Sequence, residues 1–374
     1  MFEELLTAAR FSTVHTWGSF LWGEAGATRS LYEHDGDVAH FDLEGRWQRA
    51  KVGGRTLLRG LDGVVLERFG GPHGEDVRLT DLRAAHEAVT ALVARARPGG
   101  KVELPSWTVE QLLAEEERFL QAYRPVGIVP PDRYRSLILQ ATEGCAYNGC
   151  LFCSLYKGQR YRVVPPAEFR AHVQRVKAFV GSGLAERRGV FLGEANALAM
   201  PQPALLEVFD ILHAEVPALA RDVSSFIDAF DAYRTAEEFA ALRQRGLTRV
   251  FIGVESGDEK TLAALGKPAS VKGVGQLVDT IKQGGVSVGV IFLGGLGPSH
   301  VEKSAALVAQ LGLDEGDVVY VSPLVVEARS PLAAQLERRG LGGTDAEAEA
   351  SELRVRFKGR AKVARYDLRR WVYA

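Results

Sequence analysis

From Ser136 onward the sequence alternates short apolar runs with helical segments, and this alternation limits the fold more than any other feature. Leu137–Ala141, Gly189–Leu192, Asp222–Ile227, Arg249–Val254, Val286–Leu293 and Val318–Val321 each read as a buried strand. Between them, Ala167–Phe179, Gln202–Ala214, Ala236–Arg245, Val271–Gln283 and Ser299–Leu311 read as helices. Strands that are apolar almost throughout, separated by helices, predict a parallel sheet with helical crossovers. Ligands of such sheets sit at the C-terminal ends of the strands, where the connecting loops converge.

Six units are too few for a closed eight-unit barrel. The fold class expected is therefore α/β, a partial (β/α)6 TIM-like barrel over residues 131–330. The preceding residues 1–130 have another texture, rich in Gly and aromatics, with short alternating runs at Asp37–Leu43 and Gly63–Phe69. These predict a few antiparallel strands joined by tight turns, followed by helices at Thr80–Arg97 and Val109–Tyr123, hence a small α+β domain. Pro98, Gly99 and Gly100 stop the first of these helices. Trp17, Trp22 and Trp47 are expected in the core of this domain, the alternative being a substrate lid. Residues 331–374 form a helical and basic extension: a helix from Pro331 to Arg339, ended by Gly340, Gly342 and Gly343, then a tail with eight basic residues against Asp367. Those are Arg354, Arg356, Lys358, Arg360, Lys362, Arg365, Arg369 and Arg370, and the plain expectation is a solvated face or pairing with Glu347, Glu349 and Glu352.

Hydrophobic residues make up 46% and charged residues 25%, as in an ordinary globular protein, and the formal net charge is -1. That balance argues against a protein that binds nucleic acid chiefly through phosphates. There is no long apolar run for a membrane span and no secretory signal in the first residues, so the expected location is the cytoplasm.

All three cysteines lie within nine residues, Cys145, Cys150 and Cys153, in ATEGCAYNGCLFCSLYKG directly after the first barrel strand. A disulfide framework uses even numbers of cysteines spread along the chain, so the cluster points to a metal. A structural zinc site closes its tetrahedron with four protein ligands. Here the only nearby histidine is His172, on a predicted helix, although a distant one could complete a zinc site. Three thiolates on a four-iron cluster would leave one iron open to an outside ligand.

The triplet, with Phe152 just before its last cysteine, resembles the radical S-adenosylmethionine (SAM) superfamily. The family's common spacing is Cys-x3-Cys-x2-Cys, and this chain has one extra residue in the first gap. Further elements follow in the family's order. Phe191-Leu192-Gly193-Glu194 resembles the Gly-Gly-Glu element that holds the amino group of SAM, with Leu192 in place of the first Gly. VSSFIDAF supplies Ser224 and Ser225 where polar contacts to SAM are expected. RVFIGVESGDEKTLAALGKPAS, containing Glu255, resembles the fourth-strand signature of oxygen-independent coproporphyrinogen dehydrogenases, elongator-type proteins and methylthiotransferases. GVIFLGGLG, with Gly294 and Gly295, resembles the strand beside which adenine stacks.

The resemblance implies a single 4Fe-4S cluster on the three cysteines and SAM as second cofactor. It implies a low-potential electron donor such as flavodoxin or ferredoxin, and a 5′-deoxyadenosyl radical that takes hydrogen from a substrate. With every cysteine used, no auxiliary cluster and no methyl-relay thiol remain. Arg160, Arg162 and Arg329 favour an anionic small molecule as substrate, and the basic tail keeps RNA modification as the alternative. Glu143 lies beside the cluster motif, Lys267 reads as a surface residue, and Glu255 could equally be a structural acid paired with a nearby cation. Outside the family, the rivals are a zinc-binding protein and an iron–sulfur sensor.

Overall fold

A computed structural model describes residues 11–26, 28–34, 36–69, 76–96, 102–230, 234–326, 330–341, 343–359, 361–367 and 373. Pro98, Gly99, Gly100, Arg329, Gly342, Arg360, Arg369 and Arg370 lie outside them. The chain divides into two compact units, one of residues 1–126, 174–187 and 369–374, the other of residues 127–173 and 188–368.

The first unit is built on an eight-stranded antiparallel sheet in simple sequence order. Its strands are β1 (Thr13–Trp17), β2 (Phe20–Ala25), β3 (Thr28–Glu33), β4 (Val38–Phe41), β5 (Trp47–Val52), β6 (Arg55–Arg59), β7 (Val65–Phe69) and β8 (Asp76–Leu79). Gly53 and Gly54, both at positive φ, make the two-residue turn between β5 and β6, the backbone that matches strand twist and that glycine adopts without strain. Helices α1 (Leu82–Ala96) and α2 (Val109–Ala122) follow. Ala85, Val89, Leu92 and Ala96 of α1 share a core with Trp22, Phe41, Trp47 and Leu57 of the sheet. Trp22 and Trp47 are thus core residues, and Trp17 packs at the edge of the same cluster with its indole N–H donating to the carbonyl of Ala96.

Two arginines are buried in this unit. Arg46 donates to Asp42 and Glu115, and also to the carbonyls of Phe179 and Val180. Arg59, 1% exposed, has no hydrogen-bond partner on Nε or Nη2. Burial pulls its pKa down to about 10.

The second unit is the parallel sheet. Its strands are β9 (Leu137–Gln140), β12 (Val190–Gly193), β13 (Val223–Phe226), β14 (Leu247–Glu255), β15 (Ser287–Gly294), β16 (Val318–Pro323) and β17 (Lys362–Arg365), with β10 (Thr142–Glu143) and β11 (Arg162–Val163) as a short antiparallel pair. The crossovers are α3 (Pro166–Val180), α4 (Gln202–Glu215), α5 (Ala236–Gln244), α6 (Glu259–Ala264), α7 (Val271–Gln283), α8 (Pro298–Gln310), α9 (Pro331–Arg338) and α10 (Ala346–Arg356). Strand order is β9-β12-β13-β14-β15-β16-β17 with every pairing parallel, so the first six strands form the partial barrel expected and a seventh is added at its edge.

Because side chains alternate along a strand, register assigns each residue to a face. The face toward the helices carries Val250, Ile252, Val288, Val290, Phe292, Val319 and Val321, and the ring of Phe292 meets that of Phe357, at the end of α10, at a tilt. The inner face carries Phe191, Phe226, Phe251 and Tyr320, which form a continuous run of ring contacts that Tyr366 extends. Near the C-terminal ends it also carries Gln140 and Gly193, with Ser224 one layer deeper.

Two cations of the basic tail stand in ordinary pairs. Arg365 meets Glu347 and Asp367, and Arg356 meets Glu352. Glu349 does something else: its carboxylate accepts from the backbone N–H groups of Gly295, Leu296 and Gly297 and from the hydroxyl of Thr344. It thereby satisfies the buried N–H groups of the turn that leads into α8.

Candidate functional site

The cysteine loop leaves the C-terminal end of β9 and is pinned at three points. At its start, Glu194 accepts from the side-chain amide of Gln140 at 2.7 Å and from the backbone N–H of Gly144 at 2.9 Å. Gln140 is itself fixed, since its backbone N–H donates to Nε2 of His172 at 3.0 Å. In the middle, Asn148, at φ 50°, donates its side-chain amide to the carbonyl of Tyr156 and its backbone N–H to the sulfur of Cys145. At the far side, the N–H of Leu151 donates to Leu265 and the hydroxyl of Tyr147 to Gly266, which tie the loop to the segment after β14. Phe152 packs on the leucine cluster of Leu265, Leu293, Leu296, Leu324, Leu332 and Leu336.

All three cysteines are free thiols at intermediate exposure. Burial pushes each of their pKa values up, that of Cys150 to about 12 despite the nearby Lys267 ammonium. Left alone, the thiols stay protonated, so a metal group must displace protons to bind them as thiolates. Among the described residues, no three His, Cys, Asp or Glu side chains converge on a single metal ion. His172, the nearest histidine in sequence, has Nε2 committed to Gln140. A zinc tetrahedron is poorly served by this arrangement, whereas a multi-iron cluster asks each thiolate for a different iron.

Glu255 ends β14 at φ 62°, where register shifts between Gly253 and Glu255. Its carboxylate lies 2.9 Å from the ammonium of Lys267, and Asp228 lies 4.0 Å from the same nitrogen. Lys267 is 5% exposed, so its reading as a surface residue is corrected: the turn of the chain at Gly266 carries it inward onto two acids. Burial opposes its charge, but Glu255 and Asp228 outweigh that and hold its pKa above the usual lysine range.

The serines separate. Ser224 faces inward, fully buried, with no partner for its hydroxyl among the described residues, while Ser225 faces the helices and donates to the carbonyl of Leu192. Asn196, just past Glu194, was not singled out by the sequence. Its side-chain oxygen accepts from the N–H of Asp228, and its Nδ2 is buried without a partner. Alternation on VSSF could have separated the serines, but nothing local marks Asn196.

Gly294 and Gly295 have a packing reason for lacking a side chain. A Cβ on Gly294 would lie 2.7 Å from the backbone of Ala350, and one on Gly295 2.8 Å from Cβ of Ala346. Both glycines let α10 approach the end of β15. Glu143 is settled as well: Arg162 clasps it with two nitrogens and also reaches Glu168. Arg162 is thus already paired, which weakens the case for an anionic substrate.

The fold is therefore a partial α/β barrel with three thiols on the loop after its first strand and orphaned buried polar atoms on the elements beside it. Residues 139–308 match the profile of the Radical SAM superfamily, so this segment carries that superfamily's domain. It is an enzyme family whose members carry a 4Fe-4S cluster and SAM. No curated protein matches the sequence.

Among solved structures, the radical SAM methyltransferase TsrM of Kitasatospora setae, with tryptophan and a SAM analogue bound, is similar at 19% identity and TM-score 0.42. The match covers 58% of this chain and 43% of that one. The coproporphyrinogen III oxidase HemN of Escherichia coli is similar at 16% identity and TM-score 0.40, over 64% of this chain and 54% of that one. A radical SAM methyltransferase of Sphaerobacter thermophilus is similar at 12% identity and TM-score 0.46, over 98% of this chain and 80% of that one. The chain spans less than half the length of the TsrM chain it matches. Among the described residues, no helix is long and apolar enough to cross a membrane.

Proposed function

We propose that this protein is a cytoplasmic radical SAM enzyme with one 4Fe-4S cluster on Cys145, Cys150 and Cys153, acting on a small-molecule substrate. The observation that carries the proposal is the cysteine loop itself, three half-buried thiols at the C-terminal end of the first barrel strand with no fourth side-chain ligand gathered beside them among the described residues. The cluster, when bound and reduced, would supply one electron to cleave SAM into methionine and a 5′-deoxyadenosyl radical that abstracts hydrogen from the substrate.

The chain's own residues would do the rest. Glu194 acts as a positioning residue, holding Gly144 and with it the start of the loop. Lys267 places a positive charge beside Cys150 and is kept charged there by Glu255 and Asp228. Ser224 and Asn196 offer two buried polar atoms to SAM, since such atoms rarely go without partners in a finished site. The leucine cluster beneath Phe152 keeps water from one side of the mouth. A low-potential donor such as flavodoxin or ferredoxin would deliver the electron. The tail's Arg356 and Arg365 are spent on acids and so lend no support to RNA as substrate.

The test is anaerobic reconstitution with iron and sulfide, reduction, addition of SAM, and mass spectrometry of 5′-deoxyadenosine beside a Cys150→Ala variant. Cluster-dependent 5′-deoxyadenosine is the expected result. A colourless protein that retains zinc and leaves SAM intact would overturn the reading.

A further inference from the structure

The seventh strand ends in a side chain that the proposed chemistry has not used. β17 pairs in parallel with β16, Lys362 opposite Val318 and Ala364 opposite Tyr320. Tyr366 therefore continues the inner face, one layer beyond Tyr320 toward the C-terminal ends, and its N–H donates to the carbonyl of Val321. Its ring centroid lies 5.7 Å from that of Tyr320. The two hydroxyls differ in what they meet. Tyr320 donates to Asp132 at 2.8 Å, at the opposite end of the sheet, whereas Tyr366 is 1% exposed and its hydroxyl has no partner among the described residues.

The parallel register sets Tyr366 toward the C-terminal ends of the strands. Tyr134, Tyr156, Tyr320 and Glu255 lie within its electrostatic reach; of these Glu255 ends β14, and Tyr156 in turn lies within reach of Glu194, Cys145 and Cys153. Burial keeps the phenol protonated, so it stands as an O–H and not as a phenolate. A buried hydroxyl with no acceptor carries an unmet desolvation cost, and a bound reactant is what would relieve it.

We propose that β17 is a wall of the reaction chamber and that the Tyr366 hydroxyl is its polar contact to the bound reactant. This rests on the radical SAM reading above. It follows that Tyr366 presents an exchangeable hydrogen to the chamber. When no substrate is present, a hydrogen atom can pass from the phenolic oxygen to the 5′-carbon radical. The O–H bond breaks, a C–H bond forms, and a phenoxyl radical is left on Tyr366. One electron from the reductant and one proton from solvent then restore the phenol. The O–H bond of water is too strong to donate in this way, so solvent does not mimic the phenol.

The test uses the reconstituted full chain with SAM and dithionite in heavy water, without added substrate, and reads deuterium in 5′-deoxyadenosine by mass spectrometry. Wild type should incorporate deuterium, Tyr366→Phe should incorporate several-fold less per 5′-deoxyadenosine formed, and Tyr320→Phe should match wild type. Thermal unfolding of Tyr366→Phe should occur at or above the wild-type temperature, because no structural bond is lost. Equal deuterium in wild type and Tyr366→Phe would overturn the assignment, as would a clear fall in unfolding temperature. Failure of wild type to form any 5′-deoxyadenosine would instead overturn the underlying reading, and this inference with it.

Discussion

Two buried cations, one in each unit, are handled in opposite ways. Lys267, at the mouth of the parallel sheet, sits against Glu255 and Asp228 and has its charge reinforced. Arg59, in the antiparallel sheet, has no partner on two of its nitrogens, and its pKa is lowered by burial. Burial of a charge is therefore not the mark of a site. Arg46 of the first unit is also matched by two acids, so what distinguishes the mouth is that its matched charge lies next to the thiol of Cys150. Such clusters at strand ends are where perturbed groups carry chemistry.

The contrast can be broken most sharply at Lys267. Lys267→Met leaves Glu255 buried without its cation and should cost about 3–5 kcal/mol in denaturant unfolding. A variant as stable as wild type would mean that the ammonium contributes nothing net. The next effect is acid sensitivity in the first unit. His86 is buried, its Nδ1 accepts from Trp47, and its pKa is lowered to about 4, first by burial and then by Arg59 and Arg83. The unfolded chain takes up that proton near the ordinary value of 6.5, so the stabilisation is complete above 6.5 and fades as pH falls toward 4. The loss should be at most about 3 kcal/mol, and His86→Phe should remove this part of the pH dependence. If the two proteins lose stability in parallel, His86 is not the group responsible.

Arg59→Met should act in the reverse sense to Lys267→Met, raising stability by about 1–2 kcal/mol as unpartnered nitrogens leave the interior. A loss instead would show that distant Glu115 and Asp42 are enough to make Arg59 useful. The smallest effect belongs to Arg162→Ala, whose ion pairs are at the surface and should change stability by about 0.5 kcal/mol. Once a substrate is known, its KM should not move; a large rise would restore the anionic substrate.

The six barrel strands were legible because their apolar runs are long and bounded by turns, and the bounds differ from the sequence reading by only a few residues. The cysteine triplet was legible for the same reason that it is chemically unusual: three thiols in nine residues of a chain with no others. β17 was hidden because Lys-Val-Ala-Arg at a sheet edge exposes its charged residues and reads as a basic tail. The eight-stranded sheet was read only as a few strands, since its runs are short and some carry as many polar as apolar residues. Lys267 was misread because its burial depends on acids 12 and 39 positions away in sequence. Tyr366 was unreadable for a related reason, since its facing depends on a pairing with β16 that its own neighbours do not announce.

Arg46 carries a consequence for the order of assembly. Its guanidinium lies inside the first sheet, yet two of its acceptors are the carbonyls of Phe179 and Val180, 133 and 134 positions later. During synthesis the ribosome must deliver all of β9, the cysteine loop and most of α3 before those acceptors exist. The N-terminal sheet can thus begin to form early but cannot finish, and a fragment ending at Val126 would leave the arginine with Asp42 and Glu115 alone. The cysteine loop is accordingly spelled out before residues 174–187, a later segment of the N-terminal unit, have been made.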